Sequence, residues 1–131
     1  MLAYLDASAI VKLVLREAES DALFDELRTW QERTSSVFAA VEVTRAVRRS
    51  APTARAFARM QAVLRGVDMV VFDPRVRDRT ASLEPWSIRT LDAIHIASAL
   101  EVREELGAFY TYDRRQASAA RDAGLPARSP G

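Results

Sequence analysis

Short apolar runs alternate with helical segments along the whole chain, and that alternation constrains the fold more than any other feature. Leu2 to Leu5 reads as a short buried strand, Thr34 to Ser36 as a brief one, Asp68 to Phe72 as a valine-rich one, and Phe109 to Tyr112 as another. The tail, Leu125 to Gly131, reads as a short edge strand that then frays. Helices fill the intervals. Ala7 to Arg16 is one, and Ser20 to Arg33 is another, with Leu23, Leu27 and Trp30 at helical spacing. Val37 to Arg49 ends at the Ser50-Ala51-Pro52 break. Thr53 to Arg65 follows, with Gly66 as its C-terminal cap. Asp73-Pro74 opens the next helix, Asp as N-cap and Pro at the first helical position. After the Glu84-Pro85-Trp86 loop, Thr90 to Leu106 is a helix ending at Gly107, and Arg114 to Ala123 is one ending at Gly124. Strands alternating with helices imply an α/β fold, a parallel sheet covered on both faces. With 131 residues and no repeat, linker or low-complexity tract, residues 1–131 are expected to form one domain.

Four acids stand out against this frame: Asp6, Glu42, Asp92 and Asp113. Asp6 and Asp113 each sit one residue past an expected strand, and in open parallel sheets ligands bind beyond the strand carboxyl ends. Neighbouring strands lie about 4.8 Å apart, so two such carboxylates could share one cation at about 2.1 Å. Glu42 is the only acid from Arg33 through Val67, a stretch holding seven arginines, and its segment is otherwise small or apolar apart from Thr44 and Arg45. Asp92 lies in Leu91-Asp92-Ala93-Ile94-His95-Ile96-Ala97, a helix apolar nearly all round. Carboxylates in apolar surroundings need partners, and a divalent metal is the simplest partner for several at once.

Each acid also has a plainer explanation. Asp6 and Asp113 can cap the helices that follow them. Glu42 can pair with Arg45, and Asp92 sits in a first helical turn, where the dipole favours an anion. His95 reads as a hydrogen-bonded core residue rather than a ligand. Ser8 can orient a water beside Asp6 or cap a helix. Trp86 can stack on a base or, more simply, pack in its loop. Asp73 is a cap. The stripes Leu23-Leu27-Trp30 and Phe57-Met60-Leu64 can face the core or a partner.

Composition narrows the chemistry. There is no cysteine and one histidine, which leaves oxygen ligands and points to Mg²⁺ or Mn²⁺. No apolar run approaches the roughly 20 residues that span a bilayer. Asp6 and Lys12 interrupt any signal-peptide layout, so a cytoplasmic location is expected. The net charge is +1, but with the four acids set aside the chain carries 19 basic residues against 14 acidic ones, 18 less those four. Every basic side chain except Lys12 and His95 is arginine, which suits phosphate contacts, although an arginine-biased genome would give the same composition. Candidate nucleic-acid contacts are Arg45, Arg48 and Arg49, with Arg114 or Arg115 near the acids.

Leu5-Asp6-Ala7-Ser8-Ala9, Val37-Phe38-Ala39-Ala40-Val41-Glu42, Leu91-Asp92-Ala93-Ile94-His95-Ile96-Ala97 and Thr111-Tyr112-Asp113-Arg114 together resemble the PIN-domain nucleases. The chain length and motif order resemble the VapC-type toxins of toxin–antitoxin pairs. The resemblance covers nearly the whole chain and departs at no acidic position. Some relatives carry a further acid just after the last one, where this chain has Arg114, Arg115, Gln116 and Ala117, so a second metal position is in doubt.

The resemblance implies a Rossmann-like three-layer sandwich with strand order 3-2-1-4-5. It also implies endoribonuclease activity at Asp6, Glu42, Asp92 and Asp113, with one or two Mg²⁺ or Mn²⁺ ions. The products would carry a 5′-phosphate and a 3′-hydroxyl. It further implies an RNA substrate, a VapB-type antitoxin partner and a homodimer. Two other architectures of similar layout fit less well. A phosphoacceptor receiver needs an acidic pair after its first strand and a late lysine; here Ala7 follows Asp6 and Lys12 is the only lysine. A haloacid-dehalogenase-type phosphatase needs an Asp where Ser8 stands. The remaining alternative is a non-catalytic PIN-like module that binds RNA or a partner.

Overall fold

In the computed structural model, which describes residues 1–131, the strand β1 (Leu2–Leu5) is buried at every position. It is the middle of a five-stranded sheet. β2 (Glu32–Ser36) and β4 (Leu106–Tyr110) flank it, and β3 (Asp68–Val70) and β5 (Ala127–Arg128) form the edges. The order is β3-β2-β1-β4-β5, and every neighbouring pair is parallel. The helices are α1 (Ala7–Val14), α2 (Ser20–Leu27), α3 (Ala39–Ser50), α4 (Ala54–Arg65), α5 (Pro74–Ser82), α6 (Thr90–Glu101) and α7 (Arg114–Asp122).

Side chains of a strand alternate between faces, and β1 shows what each face covers. Ala3 and Leu5 enter a core with α1, α2, α3 and α4, built around Ile10, Leu13, Leu23, Leu27 and Val43. Leu2 and Tyr4 enter a second core with α6 and α7, built around Ile96, Leu100, Phe109 and Ala120. The stripe Leu23-Leu27 therefore faces the core, and full burial of each leucine contributes about 1.5–3 kcal/mol. Met60 is buried in the same cluster, with Phe57, Leu64 and Trp30 packed against it. Leu23, Leu27 and Met60 are fully within the core, and Trp30, Phe57 and Leu64 are partly buried at its edge.

Two helices are shorter than their periodicity suggests. α2 stops at Leu27 rather than Arg33, where Thr29 bonds the Glu26 carbonyl at 2.7 Å and Trp30 turns inward. The released residues extend the second strand back from Thr34 to Glu32, since β2 can hydrogen-bond to both β1 and β3. α6 stops at Glu101 rather than Leu106, and β4 begins at Leu106. Gly107 is thus a strand residue and not a helix stop. A Cβ there would lie 2.1 Å from the Trp30 ring, so the indole occupies the space a side chain would need.

The expected fourth strand is displaced as well, ending at Tyr110 rather than Tyr112, so Asp113 stands three residues beyond it. The third strand stops at Val70, leaving Val71 and Phe72 outside it. The tail does not fray: Tyr112 Oη donates to the Pro130 carbonyl at 2.8 Å and Ser129 Oγ to the Thr111 carbonyl at 2.5 Å. No helix is long and apolar enough to cross a membrane.

Candidate active site

Strand order reverses between β1 and β4. The chain moves outward from β1 to β2 and β3, then returns to β4 on the other side. The crevice at such a reversal is where open α/β sheets bind ligands. Asp6 immediately follows β1 there, and its amide donates to Tyr110 O of β4 at 3.1 Å. Asp113 leads from β4 into α7 on the adjacent side.

Asp6 is 4% exposed. Its Oδ1 accepts from Ser8 Oγ at 2.6 Å and from Ala9 N at 3.0 Å, so it does cap α1. Ser8 spends its single hydroxyl proton on Asp6 and accepts from Tyr112 N at 2.8 Å. It therefore orients the aspartate and ties the β1 end to the β4–α7 loop, which leaves it no proton for a water. Asp113 also caps its helix, its Oδ1 accepting from Arg115 N at 2.8 Å and Gln116 N at 3.2 Å. Both caps use Oδ1, and neither Asp6 Oδ2 nor Asp113 Oδ2 takes part in them.

Glu42, in the first turn of α3, does not pair with Arg45. Its Oε1 meets His95 Nε2 at 2.7 Å, and His95 Nδ1 meets Tyr4 Oη at 2.8 Å. Burial pushes the Tyr4 hydroxyl well above its usual range, so it stays protonated and donates to Nδ1. Nε2–H then donates to Glu42, which assigns the imidazole tautomer from the network. His95, 2% exposed, is thus a hydrogen-bonded core residue that links β1 to the glutamate.

Asp92 lies in the first turn of α6. Burial raises its pKa, and Asp113, Asp6 and Glu42 raise it further as like charges, with His95 opposing. All four acids therefore act on one electrostatic locus. Burial likewise raises Asp6, against the pull of His95, Ser8, Thr111 and the Ala9 amide. Gln116 Nε2 donates to the Asp92 carbonyl at 3.2 Å, joining α7 to α6.

The donor set consists entirely of carboxylate oxygen, which fits Mg²⁺ or Mn²⁺ in chemistry. Asp6, Glu42 and Asp113 each hold one oxygen in a structural bond and leave the other open. As the side chains stand, no three acidic or histidine groups converge closely enough to hold one ion. Asp113 is exposed and Asp92 partly buried, whereas Asp6 is buried.

A cavity of about 430 Å³ opens beside these acids, between the α5–α6 loop and α7. Asp92, Asp113, Arg89, Arg114 and Arg115 line it. Arg114 and Arg115 are therefore next to the acids, as the sequence suggests. Arg45 is exposed on α3 one turn beyond Glu42, whereas Arg48 lies over the Phe57 ring and Arg49 lines a separate groove against α1 and α4. The arginines of α3 are thus divided between two surfaces. Trp86 does not pack in its loop; it is 70% exposed.

Tyr4, Thr111, Gln116 and Arg89 were not legible as site residues. Thr111 Oγ1 accepts from Asp113 N at 3.1 Å, and a hydroxyl two residues before a helix-capping aspartate is the one local signal that marks it.

Comparison with known proteins agrees with this geometry. Residues 3–122 match the PIN domain family. Ribonuclease VapC46 of Mycobacterium tuberculosis is 45% identical over 127 residues, covering 97% of this chain and 96% of its own. Ribonuclease VapC47 of the same species is 35% identical, covering 98% of this chain and 96% of its own. The crystal structure of VapBC2 from Rickettsia felis, bound to a DNA fragment from their promoter, contains a chain of the same fold. That chain has a TM-score of 0.77 at 14% identity, with full coverage of both chains. The present chain belongs to the PIN domain family and stands among its VapC-type members.

Proposed function

We propose that this protein is a metal-dependent endoribonuclease acting as the toxin of a VapBC-type pair. The observation that carries this reading is the placement of Asp6, Glu42, Asp92 and Asp113 around one switch point, where burial first, and then the like charges of the other three, raise the Asp92 pKa. The ribonuclease names of relatives at 45% and 35% identity support it.

Asp6, Asp92 and Asp113 would hold Mg²⁺ or Mn²⁺, with Glu42 completing the set. Such an ion, when bound, makes water a nucleophile at neutral pH and steadies charge on the phosphate. The protein contributes the positioning. Ser8 and the Ala9 amide fix Asp6, and Tyr4 and His95 fix Glu42. Arg114 and Arg115 offer guanidinium groups to the RNA backbone at the cavity wall. Hydrolysis by water attack leaves a 5′-phosphate and a 3′-hydroxyl and needs no 2′-oxygen.

A VapB-type antitoxin and a second copy of the chain are the partners this reading names, and the cytoplasm is the location. Mapping the ends of RNA fragments after brief expression tests it. Fragments with 5′-phosphates at defined sites support hydrolysis; 2′,3′-cyclic phosphates would exclude it.

A further inference from the structure

The cavity beside the acids has features that the four carboxylates do not explain. Its volume of about 430 Å³ falls within the range of small-ligand sites. Three of its lining residues, Arg89, Arg114 and Arg115, form no ion pair with any acid of the chain. Arg89 occupies the N-cap of α6 without a side-chain cap bond, so the first amides of that helix lack the usual side-chain acceptor. Free guanidiniums and uncapped helix amides are both suited to phosphate.

The rim adds a different chemistry. Pro85 and Ser87 line the cavity; Trp86, between them in sequence but outside the lining itself, is the most exposed large apolar side chain of the chain at 70%. No packing explains it. Asp92, Asp113 and Asp122 line the cavity alongside the three arginines, and an exposed aromatic ring beside such a cleft offers a stacking face to an unpaired base.

We propose that this cavity seats one nucleotide of the substrate strand, with its base stacked on Trp86 and its phosphates held by Arg89, Arg114 and Arg115. This assignment rests on the ribonuclease reading. It adds a residue, Trp86, that selects for a splayed-out base, because a base locked in a duplex stack cannot reach the indole. Asp92 and Asp113 line the same cavity, so a nucleotide seated there lies beside two of the proposed metal ligands.

The test measures binding apart from cleavage, in Asp6→Asn protein, by anisotropy of a labelled unpaired oligoribonucleotide and of the same strand in a duplex. Trp86→Ala is expected to weaken binding of the unpaired strand roughly tenfold and to leave the salt slope unchanged. Trp86→Phe is expected to restore most of it. Arg114→Ala with Arg115→Ala should reduce the salt slope by about one per arginine. Because Trp86 is on the surface, its loss does not threaten folding. Unchanged affinity in Trp86→Ala, or equal affinity for the duplex, overturns the nucleotide site while leaving the nuclease reading intact. Cleavage by Asp6→Asn protein would overturn the nuclease assignment without touching the binding result.

Discussion

Glu42 Oε1 and His95 Nε2 meet at 2.7 Å although the two residues are 53 positions apart in the sequence. The contact joins α3 to α6 and continues to Tyr4 at the centre of the sheet. A glutamate whose plainer explanation was a pair with Arg45 is held by the one histidine of the chain. Its orientation is thereby set from the core.

His95→Ala should therefore have two effects. It leaves the buried Tyr4 hydroxyl without its acceptor, which costs about 1–3 kcal/mol and is read by urea unfolding. It also frees Glu42, which should lower kcat by about 10–100-fold with little change in KM. His95→Gln, which keeps a donor near Glu42, should recover part of the activity. Unchanged kcat in a folded His95→Ala protein would show that Glu42 needs no positioning.

Burial and like charge raise the Asp92 pKa. A carboxyl raised in the folded state favours folding below its unfolded pKa, about 3.9, and that contribution is lost as pH rises through the raised value. Without metal, Asp92→Asn should therefore be more stable than the unsubstituted protein at neutral pH. The difference should shrink toward zero as pH falls to the ordinary carboxylate range. Denaturant titrations across that interval check the sign.

Gly107 is fixed by the Trp30 indole, which also donates to Tyr110 Oη at 2.8 Å. Gly107→Ala should destabilise by about 1–3 kcal/mol through overpacking. Combining it with Trp30→Phe should cost less than the sum of the two, because the same ring causes the clash.

Coexpression with the small reading frame next to this one should restore growth and give a stable complex. A basic side chain of the antitoxin reaching the acids is the expected means of inhibition. A protein that stays monomeric at high concentration, and that no neighbouring product binds or neutralises, contradicts the toxin–antitoxin role.

The layer structure was legible because periodicity reports which face is buried. Asp6 and Asp113 were legible because they end apolar runs, and Asp92 because it interrupts an apolar helix. Helix ends were less legible. Residues 28–33 and 102–105 carry no strong stop signal, and the close approach of Trp30 to Gly107, which brings the α2–β2 link onto β4, joins residues far apart in the sequence. The partner of Glu42 could not be read locally, since His95 comes from a distant helix. The arginines were the least legible, because a run of like charge does not say which surface each member joins.

The central claim is that the grouped carboxylates cut RNA with a bound divalent ion, and Asp6→Asn tests it most directly. Asparagine caps a helix as aspartate does, and it removes a buried charge from a repulsive cluster, so α1 and the fold should persist. Purified protein is mixed with RNA in Mg²⁺ or Mn²⁺, with and without chelator. The account predicts cleavage by the unsubstituted protein that chelation abolishes, and none by folded Asp6→Asn protein. Cleavage by that variant, or cleavage that survives chelation, would contradict it.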